Sequence, residues 1–277
     1  MSIIILLLGL LLALCAGAVV LSSTILWYEW GNRDPALLED RWQRDRLLFA
    51  ARYLGTETFL LFLTTLLRPL GWLKRGEERE KEAVFGRTPV ILLHGLFHTG
   101  ACWWWLRRQL RHRGLPVFTL DLPLWRDPAP AVEQLAAKIE ELAALGAQQV
   151  HLVGHSMGGL IARACLRRPA VAARVGRCIL LGAPNAGSRL APFAISYTGQ
   201  LLLPGSDYLL DLNAEPPPPQ VRFTAICSRH DNLVIPWESG RLEGARNVEL
   251  AEVGHTTLLY HPTALEIIID ELTEDLP

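Results

Sequence analysis

The longest apolar run of the chain comes first. Between Ile3 and Leu26 no residue is charged and Leu, Ile and Ala predominate. At 1.5 Å per residue such a helix is long enough to cross a hydrocarbon core of about 30 Å. The run predicts a membrane span, with Trp27, Tyr28 and Trp30 as an aromatic cluster at its interface. A cleavable signal would need a basic leader and an apolar stretch of about 7–15 residues ending at a small-residue site, and neither fits. Leu12-Ala13-Leu14-Cys15 is a faint lipoprotein-like match in which bulky Leu14 occupies a small-residue position. A second apolar stretch, Tyr53 to Leu73, has an uncharged centre only from Thr58 to Leu67, bracketed by Glu57 and Arg68. That length favours an interfacial or docked helix over a second span.

Beyond the mixed-charge linker Glu77–Glu82 the pattern changes to short apolar runs separated by helical periodicity. Strands are expected near Val90–Leu93, Val117–Leu120, Val150–Val153, Cys178–Leu181, Val221–Cys227 and Val248–Val253. Helices are expected at Trp103–Arg113, Ala131–Leu145, Leu160–Arg167 and Thr263–Leu272. This alternation implies an α/β fold: a mostly parallel sheet of about six strands, helices on both faces, reactive residues at the strands' C-terminal ends. The division expected is residues 1–30 as anchor, 31–87 as a juxtamembrane region and 88–277 as the α/β domain. Pro216–Pro219 reads as a stiff surface connector.

Gly154-His155-Ser156-Met157-Gly158 lies directly after one predicted strand and before a predicted helix. Chance matches to G-x-S-x-G occur, but strand, turn and helix are the context in which the motif presents a nucleophilic serine. Candidate partners follow in the order acid, base. Asp231 leaves the strand Phe223–Cys227 where an acid can orient an imidazole, and His255 follows the strand Asn247–Val253. A serine hydroxyl is a poor nucleophile near neutral pH, so a base must take its proton and a carboxylate must stabilise the imidazolium. The His94-Gly95 turn after Val90–Leu93 is the candidate oxyanion site, through the backbone N–H of Leu96 together with that of Met157. The His94 side chain is expected to bond locally and shape that turn.

On these residues the segment from about Thr88 to Leu276 resembles the lipases and carboxylesterases of the α/β-hydrolase superfamily, particularly small bacterial lipases of the Bacillus type. Similar family segments include Arg241–Val248, Val253–Tyr260, Leu203–Asp207 and Leu181–Asn185. The resemblance implies Ser156 as nucleophile, Asp231 as acid, His255 as base, the amides of Leu96 and Met157 as oxyanion hole, a short or absent lid, and no cofactor or metal. His155, inside the elbow, is not the base.

The implied partners are an ester or lipid substrate and, through the N-terminal helix, a membrane. The formal net charge of −1 argues against nucleic acid. The five cysteines have no paired metal-ligand spacing and sit mostly in apolar runs, so they read as buried thiols. No Lys or Arg precedes the first span, whereas Arg33, Arg41, Arg44, Arg46 and Arg52 follow it. The positive-inside rule then puts the catalytic domain on the cytoplasmic side, or on the outer face if residues 53–73 cross as well. Some alternatives stay open: thioester hydrolysis or acyl transfer by the same triad, a non-catalytic membrane scaffold, and, for residues 182–220, an acyl-binding lid or a core-packing loop. Trp103, Leu106 and Leu110 share a helical face and read as core, while Trp104 and Trp105 are left to border the cleft or touch lipid.

Overall fold

In a computed structural model the described residues are 2–39, 42–71, 77–123 and 127–274. Met1, Arg41, Leu73 and everything beyond Glu274, named in the readings above, lie outside them. The two N-terminal helices are α1 (Ser2–Arg33) and α2 (Arg44–Gly71), both long and apolar enough to cross a membrane. α1 continues past Leu26 and stops before Asp34-Pro35, where the proline disfavours helix in the residue ahead of it. Cys15, Val19, Ser22, Ser23 and Leu26 form its buried stripe at helical spacing, whereas residues 3–10 are exposed all round.

The α/β body follows in order: α3 (Glu77–Glu82), β1 (Val90–Leu93), α4 (Trp104–His112), β2 (Val117–Leu120), α5 (Ala129–Ala144), β3 (Val150–His155), α6 (Met157–Leu166), α7 (Pro169–Ala172), β4 (Val175–Leu181), α8 (Tyr197–Gln200), α9 (Asp207–Asn213), β5 (Arg222–Ser228), β6 (Arg246–Leu250) and α10 (Pro262–Thr273). The six strands form one parallel sheet in the order β2-β1-β3-β4-β5-β6. Alternate residues of one strand feed two cores. Ile91 and Leu93 pack with Leu135, Ile139 and Leu160 on one face, while Val90 and Leu92 pack with Trp103, Leu106 and Ile268 on the other. At the β2 edge the Val117 N–H donates to Glu80 Oε2 at 2.8 Å, so α3 covers a donor that would otherwise be open to pairing.

Two expectations change. The last strand ends at Leu250 and not Val253, because Glu252 turns the chain with φ 63°, outside the extended region. The stretch 182–220 divides between the two readings left open. Ala191, Leu202, Leu209 and Leu212 are core residues, whereas Phe193, Ile195 and Tyr197 are exposed. Trp103 is fully buried, and Trp104 and Trp105 are exposed.

Candidate active site

The turn between β3 and α6 is held by close backbone packing. A Cβ added at Gly154 would stand 2.5 Å from the Gly159 nitrogen, and one at Gly158 would stand 2.4 Å from the Leu93 carbonyl oxygen, so neither position accepts a side chain. The geometry forces Ser156 to φ 54° and ψ −126°, a strained conformation for a residue with a Cβ. Ser156 is half-buried at the C-terminal edge of the sheet. Phe97 (φ 63°) and Glu252 (φ 63°) are the other described non-glycine residues with positive φ. One follows Leu96 and the other precedes His255, so the backbone strain gathers around the candidate site.

The loop after β5 carries Asp231, whose Oδ1 accepts the Leu233 and Val234 N–H groups, each at 2.8 Å. That turn aims the carboxylate at His255, whose Nδ1 lies 2.8 Å from Oδ2 and 3.0 Å from Oδ1. Both side chains are buried. Burial alone would lower the imidazolium pKa of His255, but the Asp231 charge and its hydrogen bond, with the Glu57 charge, outweigh it and hold the pKa above the ordinary histidine value.

His155 packs against His255 with ring centroids 4.6 Å apart and the planes tilted by 46°, and its Nε2 lies 3.1 Å from the His255 carbonyl oxygen. Burial, together with the neighbouring His255 and His98, drives the His155 pKa well below the ordinary value, so this ring stays neutral. It precedes Ser156 in the chain and packs against His255. Among the described residues no hydrogen bond joins Ser156 Oγ to His255 Nε2; catalytic contacts of this kind are often long without substrate.

The turn after β1 lies against the serine: a Cβ on Gly95 would be 2.7 Å from Ser156 Cβ. Here the Leu122 N–H donates to His94 Nε2 at 2.9 Å, which leaves Nδ1–H to donate to the Gly95 carbonyl at 2.8 Å. His94 therefore shapes the turn. Among the described residues no hydrogen bond engages the N–H of Leu96 or Met157, so two orphan donors stand beside the serine.

Sequence reasoning missed the contribution of the N-terminal helices. Glu57 of α2 is 1% exposed, and its carboxylate accepts the Thr256 N–H at 2.6 Å, the Thr257 N–H at 3.0 Å and the Thr257 hydroxyl at 2.6 Å. The Tyr53 hydroxyl donates to the His230 carbonyl at 2.6 Å, beside Asp231. Asn232 links α1 to the loop of His255: its Nδ2 donates to Ser22 Oγ of α1 at 2.7 Å and its Oδ1 accepts the His255 N–H at 3.1 Å. The signal for Glu57 was a single carboxylate inside an apolar helical stretch. Such a group must find partners when buried. α2 thus docks along the body, as a short uncharged centre favours, and Gly71 at its far end meets Thr99. The five cysteines are free and buried, and among the described residues no cluster suits a metal ion.

Residues 90–225 match the profile of the alpha/beta hydrolase family. The chain is 36% identical over 118 residues to a triacylglycerol lipase of Pseudarthrobacter phenanthrenivorans, a match covering 39% of this chain and 36% of that protein. It is equally identical over 118 residues to a triacylglycerol lipase of Burkholderia plantarii, covering 39% and 32%. The matched stretch therefore spans about a third of the length of these relatives. Aspergillus fumigatus lipase B superposes with a TM-score of 0.61 at 22% identity, over 68% of this chain and 53% of that one. Mature Bacillus licheniformis lipase BlEst2 does so with 0.60 at 19% identity, over 67% and 92%. The chain has the α/β-hydrolase fold, and the proteins it resembles are lipases and esterases.

Proposed function

We propose that the protein is a membrane-anchored serine hydrolase cleaving carboxylic esters of acyl-lipid type through Ser156, His255 and Asp231. The observation that carries this reading is the buried His255–Asp231 pair set at the same sheet edge as a strained serine on a strand-to-helix turn. His255 Nε2 takes the hydroxyl proton as Ser156 Oγ bonds to the ester carbonyl carbon, and the carbonyl electron pair moves onto oxygen. The Leu96 and Met157 amides hold that oxyanion, each such donor being worth about 3 kcal/mol. Collapse breaks the ester C–O bond, and the imidazolium gives its proton to the leaving alcohol. Water, deprotonated by His255, then attacks the acyl-enzyme, and collapse releases the acid and returns the proton to Ser156. The scheme calls for no cofactor.

The lipid side of the proposal rests on the relatives, which are triacylglycerol lipases, and on an apolar rim. Phe97, beside Leu96, and Phe193, Ile195 and Tyr197 in the segment next to it are all exposed. In α1 the exposed leucines and isoleucines before Cys15 supply the anchor. With α2 docked on the body, the arginines following α1 favour a cytoplasmic body by the positive-inside rule; a second crossing by α2 would put it on the outer face.

Hydrolysis of p-nitrophenyl esters from acetate to palmitate, by the full-length protein in detergent beside Ser156→Ala, tests the reading. Serine-dependent turnover with a long-chain optimum is expected. Equal inertness of both proteins on every ester overturns it.

A further inference from the structure

Three consecutive backbone N–H groups in the loop of the candidate base, those of His255, Thr256 and Thr257, are satisfied by side chains and not by backbone. Asn232 accepts the first and Glu57 the other two. Glu57 comes from a helix about 200 residues earlier in the chain and is nearly sealed from solvent. The loop is built to receive it. Gly254 is the one residue type that leaves room, because a Cβ there would stand 2.4 Å from Glu57 Oε2 and 2.6 Å from its Cδ. A buried carboxylate with three donors is a rigid clamp, since each bond broken would leave a charged or polar atom without water to replace it.

We propose that Glu57 is a positioning residue for His255: it locks the base loop in place and makes the N-terminal helix α2 part of the active site. The inference rests on the triad reading above, and it does not make Glu57 a group that touches substrate. Its consequence is that α2 does more than pack against the body. Displacing the helix would loosen the base even toward a freely soluble ester.

Besides Glu57, the titratable groups facing His255 are Asp231 from the loop after β5, His155 at the end of β3 and His98 from the loop after β1. Burial, with His94, His255 and Arg68 nearby, lowers the His98 pKa to about 3, and His155 is likewise held neutral, so neither titrates with His255. Glu57 adds negative charge near the imidazolium and favours its protonated form.

The test uses the full chain in detergent with p-nitrophenyl butyrate, comparing wild type, E57Q, E57A, Y53F and S156A, with far-UV circular dichroism and Tm to identify folded variants. For a misplaced base kcat should fall about 10- to 100-fold in E57A with little change in KM. E57Q, which keeps one acceptor oxygen, should lose less. Both should move the acid limb of kcat/KM to lower pH, whereas Y53F, which cuts a different bond of the same helix, should leave the limb in place. Should the Glu57 variants fail to fold, Thr257→Val removes only the hydroxyl bond to Glu57, and kcat should fall a few fold.

A 13C-histidine NMR titration of His255 reads the same shift without turnover. If wild type and S156A are equally inert on esters, the hydrolase reading fails while the titration still decides the role of Glu57. An unmoved His255 titration in folded E57Q overturns the proposal, as does wild-type kcat in E57A or in Thr257→Val while S156A is dead.

Discussion

Glu57 Oε2 stands 2.4 Å from the point where a side chain at Gly254 would place its Cβ. The absence of a side chain at Gly254 and the buried carboxylate of Glu57 are thus one packing feature. Gly254→Ala should displace the carboxylate, destabilise the protein by about 1–3 kcal/mol as overpacking does, and lower kcat as Glu57→Ala does. Because both changes break the same contact, the double variant Gly254→Ala/Glu57→Ala should be far from additive. Tm and kcat of the two single variants and the double variant check this; simple additivity in both would contradict it.

The pH profile follows from the direction of the His255 shift. In the proposed mechanism His255 must be neutral to accept the serine proton, and its folded pKa lies above the ordinary value of about 6.5. kcat/KM should therefore rise with pH through a midpoint above about 6.5. A midpoint well below that, measured on a soluble ester over pH 4–9, would mean that the pair with Asp231 does not govern the base.

Asp231→Asn separates orientation from charge. The amide oxygen can still accept the Leu233 and Val234 N–H groups, so the loop should hold and Tm should change little. The imidazole loses the carboxylate that fixes its tautomer, and kcat should fall roughly 10³- to 10⁴-fold. Steady-state kinetics beside a thermal melt would show this; a loss of less than about tenfold would remove Asp231 from its role.

The apolar rim predicts a split between substrates. Phe193→Ser or Ile195→Ser removes a side chain whose transfer from water is worth about 1.5–3 kcal/mol. Turnover of a long-chain ester dispersed in phospholipid vesicles should fall about tenfold in KM terms. For p-nitrophenyl butyrate in detergent, kcat/KM should stay near wild type. Equal losses on both substrates would make these residues structural.

Much of this arrangement was legible because local patterns and tertiary packing agree. Strands β1 to β5 each contain an apolar run bounded by turn residues, and the Gly154–Gly158 spacing encodes the turn directly. The strand before His255 was read too long because Ala251 and Val253 continue its apolar character while the turn at Glu252 has no glycine to announce it. The partnership of Glu57 with Thr256 and Thr257 was not legible. A charge inside an apolar helix says that a partner exists, but the partner lies about 200 residues away and is set by docking. Asn232 was hidden for a similar reason: its neighbour Asp231 carries the motif, while its own bonds, to Ser22 of α1 and to the His255 N–H, are set by tertiary packing.

The central claim is that Ser156 is activated as a nucleophile by His255. Intact-mass and peptide mapping after reaction of the full-length protein with a fluorophosphonate probe tests it most directly. The account predicts a single adduct on Ser156, lost in Ser156→Ala and slowed by orders of magnitude in His255→Ala. An unmodified Ser156, or equal labelling of wild type and Ser156→Ala, would contradict it.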